Sequence, residues 1–178
     1  VNLKAARSMG IPVFHASHQR QHSISEMVIG YILTLSRQVG DRTREIHNTV
    51  WNKISNNCYE VRNKTIGIIG YGQVGSAVGV MAESLSMKVV FYDNVIAMPI
   101  GKATSCSNLN DLLSISDYVF VNVSPIEENK NFIGVNELAI MKPKSFIINT
   151  SFKDAIDLEA LAASIKNGNI QGAAIDSH

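Results

Sequence analysis

The stretch TIGIIGYGQVGSAVG, residues 65–79, decides the fold. Its opening TIGIIG (65–70) is a near-continuous apolar run, the composition of a strand buried on both faces. Gly70, Gly72 and Gly75 then follow in G-x-G-x-x-G spacing, and a helix is expected over 73–86. Alone, that spacing is a weak signal. Placed between a strand and a helix, it is the turn that cradles the pyrophosphate of a dinucleotide. Gly70 permits the tight turn, Gly72 lets the backbone approach the phosphates, and Gly75 lets the helix close on the strand. The helix N-terminus presents N–H groups and positive dipole to the anion. The plainer alternative is a glycine turn that only packs a helix on a sheet. A second strand, KVVFYD (88–93), weighs against it by ending in Asp93, 18 residues past Gly75. A carboxylate there accepts hydrogen bonds from a ribose hydroxyl and repels a 2′-phosphate, so the expected cofactor is NAD rather than NADP.

Downstream, the alternation continues. A helix is expected at NLNDLLSIS (108–116), a strand at YVFVNV (118–123), a helix over 134–141 and a strand at SFIINT (145–150). Asp157 can cap the helix of DLEALAASIKNG, which Gly168 ends, and IQGAAID (170–176) is the last strand. Apolar strands alternating with helices predict an α/β fold, a doubly wound parallel sheet of Rossmann type with helices on both faces.

Upstream, residues 2–9 read as a helix stopped by Gly10, IPVF (11–14) as a strand and SHQRQH (17–22) as a polar loop. Ser23 and Glu26 have the spacing of a capping box. The helix it would open carries Met27, Tyr31, Leu35 and Val39 at steps of four and is expected to run to about residue 47. A polar connection (52–64) follows, with Trp51 and Tyr59 expected to pack it.

Apolar residues make up 46% of the chain and charged residues 17%, so it folds rather than staying disordered. A net charge of +1 argues against nucleic acid and anionic membrane as partners. The chain start lacks the build of a signal peptide, and the most apolar helix is too short to span a bilayer. Cys58 and Cys106 are isolated, as in a reducing compartment, so the expected location is cytoplasmic. His15, His18 and His22 lie close together without metal-ligand spacing, and no metal is expected. His47 is expected on a helix surface.

Several stretches together resemble the nucleotide-binding domain of the D-3-phosphoglycerate dehydrogenases, within the D-isomer-specific 2-hydroxyacid dehydrogenases. They are LKAARSMGIPVF, SEMVIGYILTLSR, VWNKISNNCYEVRNKTIGIIGYGQVGS, AESLSMKVVFYD, MPIGKAT, DLLSISDYV, MKPKSFIINTS and IQGAAID. The resemblance covers nearly the whole chain. It implies an NAD-dependent oxidoreductase of 2-hydroxy acids, in serine biosynthesis, with residues 1–20 ending a substrate-domain-like segment and 21–178 forming the NAD-binding domain. Cofactor contacts carry over to Gly70, Gly72, Gln73, Val74 and Gly75 at the pyrophosphate, and to Asp93 at the adenosine ribose. Val123 matches a segment lining the cofactor, while Asn122 and Ser124 depart from the family's His and Pro and are left with mainly backbone contacts. Thr150 and Ser151 match the end of the fourth strand. Asp176 matches an acid near the nicotinamide carboxamide, or only caps its strand. The resemblance also implies a homodimer through the helix starting at Ser23. Its Met27, Val28, Ile29, Tyr31, Ile32, Leu33 and Leu35 exceed what one sheet face needs.

The substrate-handling residues depart. Where the family reads Asn-x-Ser-Arg-Gly, this chain reads Asn149-Thr150-Ser151-Phe152-Lys153. The family's arginine binds the substrate carboxylate with a charged, bidentate fork, and Phe152 has neither charge nor donor. Lys153 is one position away and offers only a point charge. SHQRQH also replaces the family's substrate loop, and the family's catalytic Glu and His lie beyond these 178 residues, with His178 no substitute. No catalytic residue is therefore assigned. Two functions stay open: the NAD-binding domain of a 2-hydroxyacid oxidoreductase, incomplete on its own, or a non-catalytic NAD-binding or dimerising module descended from one.

Overall fold

A computed structural model describes residues 2–14 and 21–176. His15, His18, His178 and most of the SHQRQH segment lie outside them. The described chain forms one six-stranded sheet, every pair parallel, in the order β3-β2-β1-β4-β5-β6. The strands are β1 (Thr65–Ile69), β2 (Lys88–Tyr92), β3 (Thr104–Ser105), β4 (Tyr118–Val121), β5 (Ser145–Asn149) and β6 (Ile170–Ile175). The helices are α1 (Leu3–Ser8), α2 (Gln21–Arg37), α3 (Val39–His47), α4 (Gln73–Ser84), α5 (Leu109–Ile115), α6 (Val135–Ile140) and α7 (Leu158–Lys166).

Alternation along each strand feeds two cores. Ile66 and Ile68 of β1, Phe91 of β2, Tyr118 and Phe120 of β4, and Phe146 and Ile148 of β5 pack beneath α2 and α4. Ile69, Val119, Val121 and Ile147 face the opposite way, toward α5, α6 and α7. Both faces being covered explains why the strands read as nearly unbroken apolar runs. The Asp157 carboxylate caps α7 as expected, accepting the N–H groups of Glu159 and Ala160, both at 3.0 Å.

Four upstream expectations are corrected. The IPVF segment is irregular rather than a strand. Helix α2 spans Gln21–Arg37, so Ser23 and Glu26 lie inside it and Ser23 is not the residue that opens it. The single helix to residue 47 is two helices, because Gln38 adopts a left-handed conformation (φ 53°) that ends α2 and starts α3. Trp51 is 79% exposed instead of packed, whereas Tyr59 does pack against the α2–α4 core.

The side of α2 expected to meet a second chain is partly used at home. Val28 and Ile32 are fully buried against this chain's own sheet and α4, so Ile32 is a core residue. Further along the helix, the Ser36 hydroxyl lies 2.7 Å from the buried Tyr118 hydroxyl and donates to the Ile32 carbonyl, tying α2 to β4. The ring of Tyr118 stacks on Phe146 at 5.4 Å.

Candidate cofactor site

Strand order reverses between β1 and β4, so the chain leaving β1 enters α4 on one face while the chain leaving β4 leads to the other. In an open α/β sheet that divergence makes the crevice in which ligands bind. A cleft of about 370 Å³ opens there, lined by Gly70, Gly72, Asp93, Asn122, Val123 and Ser124, all read from the sequence. Ile69, Asn94, Val95, Ile126 and Asn129 also line it and were missed. Asn94 and Val95 could have been found as the residues following the acid. Asn129 carries no sequence signal; it is buried, and its side-chain amide donates to the Ser124 carbonyl at 2.9 Å.

Gly70 needs to be glycine twice over. Its φ is 89°, and a Cβ would collide with the Asn122 carbonyl oxygen. Gly75 is buried where α4 crosses the turn, and a Cβ there would collide with the Gly70 carbonyl oxygen. Gly72 differs: a Cβ would meet no atom within 4 Å. Its missing side chain leaves open space in front of the first turn of α4, where Gln73 is exposed and Val74 half-buried. Gly72 occupies the N-cap position and has no side chain to satisfy the first-turn amides.

The Asp93 carboxylate holds the turn from the β2 side. One oxygen accepts the Tyr71 N–H at 2.7 Å and the other the Val95 N–H at 3.0 Å. Each oxygen has two lone pairs, so acceptor capacity remains for a ribose hydroxyl. The Tyr71 ring stacks on Phe91 with centroids 3.8 Å apart, and its hydroxyl accepts the Ile100 N–H at 3.4 Å. Burial pushes the Tyr71 phenol up; the Ile100 hydrogen bond opposes this and the nearby Glu83 carboxylate adds to it, so the group stays neutral.

Thr150, Ser151 and Asp176 follow β5 and β6 along the same sheet edge but do not line this cleft. Ser151 donates its hydroxyl (2.7 Å) and its N–H (3.0 Å) to the buried Asn149 side-chain oxygen. The Asp176 N–H continues the sheet by donating to the Asn149 carbonyl at 2.8 Å. The Thr150 hydroxyl is buried with no hydrogen-bond partner among the described residues. Open space at Gly72, the uncapped α4 terminus and the acid beside the turn fit a bound dinucleotide.

Phe152 does not point to substrate chemistry. It is half-buried against the core beneath α5, α6 and α7, and its carbonyl accepts from the Asn149 amide at 3.0 Å. Lys153 is exposed in the short 3-10 turn that follows. Among the described residues no group of three His, Cys, Asp or Glu side chains could hold a metal, and no helix is long and apolar enough to cross a membrane.

Known proteins share this architecture and much of this sequence. The family model for the D-isomer specific 2-hydroxyacid dehydrogenase NAD binding domain matches residues 29–178. D-3-phosphoglycerate dehydrogenase 2 of Saccharomyces cerevisiae is 42% identical over 99% of this chain and 38% of its own length. The D-3-phosphoglycerate dehydrogenase of Escherichia coli K12 is 43% identical over 99% of this chain and 43% of its own length. The chain thus spans about two fifths of the curated relatives it matches. Among solved structures, the NAD-dependent formate dehydrogenase of Staphylococcus aureus in complex with NAD superposes with a TM-score of 0.89 at 26% identity, covering 99% of this chain and 54% of that one. A D-lactate dehydrogenase of Aquifex aeolicus complexed with NAD and lactic acid gives 0.88 at 26% identity, with the same coverages. A crevice shaped for a dinucleotide, on a sheet shared with NAD-bound dehydrogenases and in a sequence matched along its length, has one consistent account: the chain belongs to the D-isomer specific 2-hydroxyacid dehydrogenases, as an NAD-binding domain like that of the D-3-phosphoglycerate dehydrogenases.

Proposed function

We propose that this domain holds NAD for an oxidoreductase that moves a hydride between the cofactor and a 2-hydroxy acid, 3-phosphoglycerate being the substrate suggested by the relatives' names. On this reading the protein works in the cytoplasm, in serine biosynthesis. Residues 1–20 end its substrate-domain-like segment, and 21–178 are the cofactor domain. The bound cofactor supplies the hydride chemistry; this chain's residues bind and orient it. Gly72, Gln73 and Val74 lie against the pyrophosphate, Asp93 against the adenosine ribose, Asn122, Val123 and Ser124 along the cleft wall, and Thr150, Ser151 and Asp176 toward the nicotinamide. The open space before Gly72, with Asp93 beside it, carries the reading.

Calorimetry with NAD and NADP tests it. NAD should bind at least tenfold more tightly, since a 2′-phosphate would meet the Asp93 carboxylate. Tighter NADP binding would overturn the role given to Asp93.

Phe152 favours a second reading. An aromatic side chain committed to the core cannot supply the guanidinium that a 2-hydroxy acid carboxylate needs. A descendant that keeps NAD and dimerises without turnover fits that replacement. Full-length protein that binds NAD yet fails to oxidise 3-phosphoglycerate supports the second reading; steady turnover supports the first. In either case we expect a homodimer on the solvent side of α2 and its continuation, where Leu33, Val39, Ile46, Val50 and Trp51 stay exposed.

A further inference from the structure

The peptide unit joining Gly70 to Tyr71 is held at both ends by side chains from the strands that flank β1. Its N–H donates to the Asp93 carboxylate, from the β2 side, at 2.7 Å. Its carbonyl accepts the Asn122 side-chain amide, from the β4 side, at 3.2 Å. Only the Asn122 nitrogen can face that carbonyl, because an oxygen there would repel it. The backbone on either side is pinned as well: Gly70 N–H donates to the Tyr92 carbonyl at 2.9 Å, and Asn122 N–H to the Ile69 carbonyl at 2.8 Å. The Gly70 carbonyl also sits where α4 crosses the turn at Gly75.

We infer that Asn122 is a positioning residue, the second jaw of a clamp that prevents the Gly70–Tyr71 peptide from rotating and so fixes the following amides for a pyrophosphate before it arrives. A two-sided clamp removes the motion that binding would otherwise have to freeze, and affinity rises by that saving. Asn122 stands where the resembled family carries histidine, so this chain secures the turn with a residue of its own. The ligand named here rests on the NAD reading above; the clamp itself does not.

The test compares the wild-type chain with Asn122→Ala and Asn122→Asp. Amide exchange at Tyr71 is read by NMR without ligand, and affinities for NAD and ADP-ribose are read by calorimetry. Loss of one neutral hydrogen bond should accelerate Tyr71 exchange and weaken both ligands by a common factor of roughly five. Asn122→Asp should do more, since it turns a donor into an acceptor facing a carbonyl. Exchange at Ile147, at the centre of the buried strand β5, should not change; acceleration there as well would reduce Asn122 to a general structural role and overturn the inference. So would unchanged Tyr71 exchange, or a loss of NAD affinity with ADP-ribose unaffected, which would mark Asn122 as a contact to the nicotinamide end. If wild type binds neither ligand, the cofactor reading fails, and Tyr71 exchange still decides the clamp.

Discussion

Two glycines three residues apart in one motif, Gly72 and Gly75, do opposite jobs, and the difference is measurable. At Gly75 a methyl group would drive into the Gly70 carbonyl and press on Ile68, so the turn or the helix must move. Overpacking of that kind costs about 1–3 kcal/mol. Gly75→Ala should therefore lower the melting temperature and weaken NAD together. At Gly72 the same methyl meets nothing, and the φ of −77° lies outside the left-handed region, so the fold accepts it. That methyl occupies the approach to the α4 N-terminus, however. Gly72→Ala should melt with the wild type and bind NAD at least tenfold more weakly. Thermal melts and calorimetry on both variants check the pair: a Gly72→Ala chain that keeps full affinity would remove the pyrophosphate from this position.

At the scale of elements, the two ends of the sheet are held by different chemistry. The site end is tied by backbone hydrogen bonds, the Asn122 amide and the Asp93 carboxylate on two N–H groups, without an ion pair among the described residues. The opposite end is tied by Asp117, whose carboxylate accepts the Thr65 N–H at 2.9 Å and the Lys142 ammonium at 2.7 Å, linking the starts of β1, β4 and β5. Burial alone would raise the Asp117 carboxyl. Hydrogen bonds from Lys142 and from the Thr65 amide, with the charges of Lys142 and Lys64, outweigh it and hold the group below its usual value. A depressed folded value favours the ionised form, so the stabilisation is full above the unfolded value of about 3.9 and is lost as pH falls through the folded one. Asp117→Asn should be destabilised at pH 7, and the gap to wild type should close below about pH 4. Urea midpoints at neutral and acid pH decide it; a gap independent of pH would mean that the amide-to-carboxylate change acts through packing.

For the molecule as a whole, the remaining question is what covers its apolar surface. Val39 and Ile46 on α3 stay about half exposed, and Val50 and Trp51 follow directly. Clustered exposure of this kind marks an interaction surface, and two-fold pairing is the commonest closed arrangement. Light scattering at tens of micromolar should give twice the chain mass, and Ile46→Glu should return it to monomer by placing an unpaired charge in the contact. A monomeric wild type would dispose of the expectation. Ile32 cannot serve in this experiment, since a charge there would attack the chain's own core.

Much of this was legible in one dimension. From residue 65 onward, the near-unbroken apolar strands, the glycine spacing, Asp93 and the Asp157 cap are local signals, each set by residues within a few positions, and they stand where expected, whereas the apolar IPVF run does not form its strand. The family resemblance added the positions after β4 and β5. What sequence could not supply was partnership across long separations. A stripe on α2 shows that one face is buried but not against what, and the fold spends Ile32 on its own sheet. The break at Gln38 has no proline or glycine at its position, yet this non-glycine residue holds φ 53° there. The clamp on the Gly70–Tyr71 peptide joins residues 22 and 52 positions apart, brought together only when β2 and β4 pair on either side of β1. Local chemistry therefore determined the main strands and helices from residue 65 onward and the glycine turn between β1 and α4, while the strand order, which is a property of the packed sheet, decided which side chains hold that turn in shape.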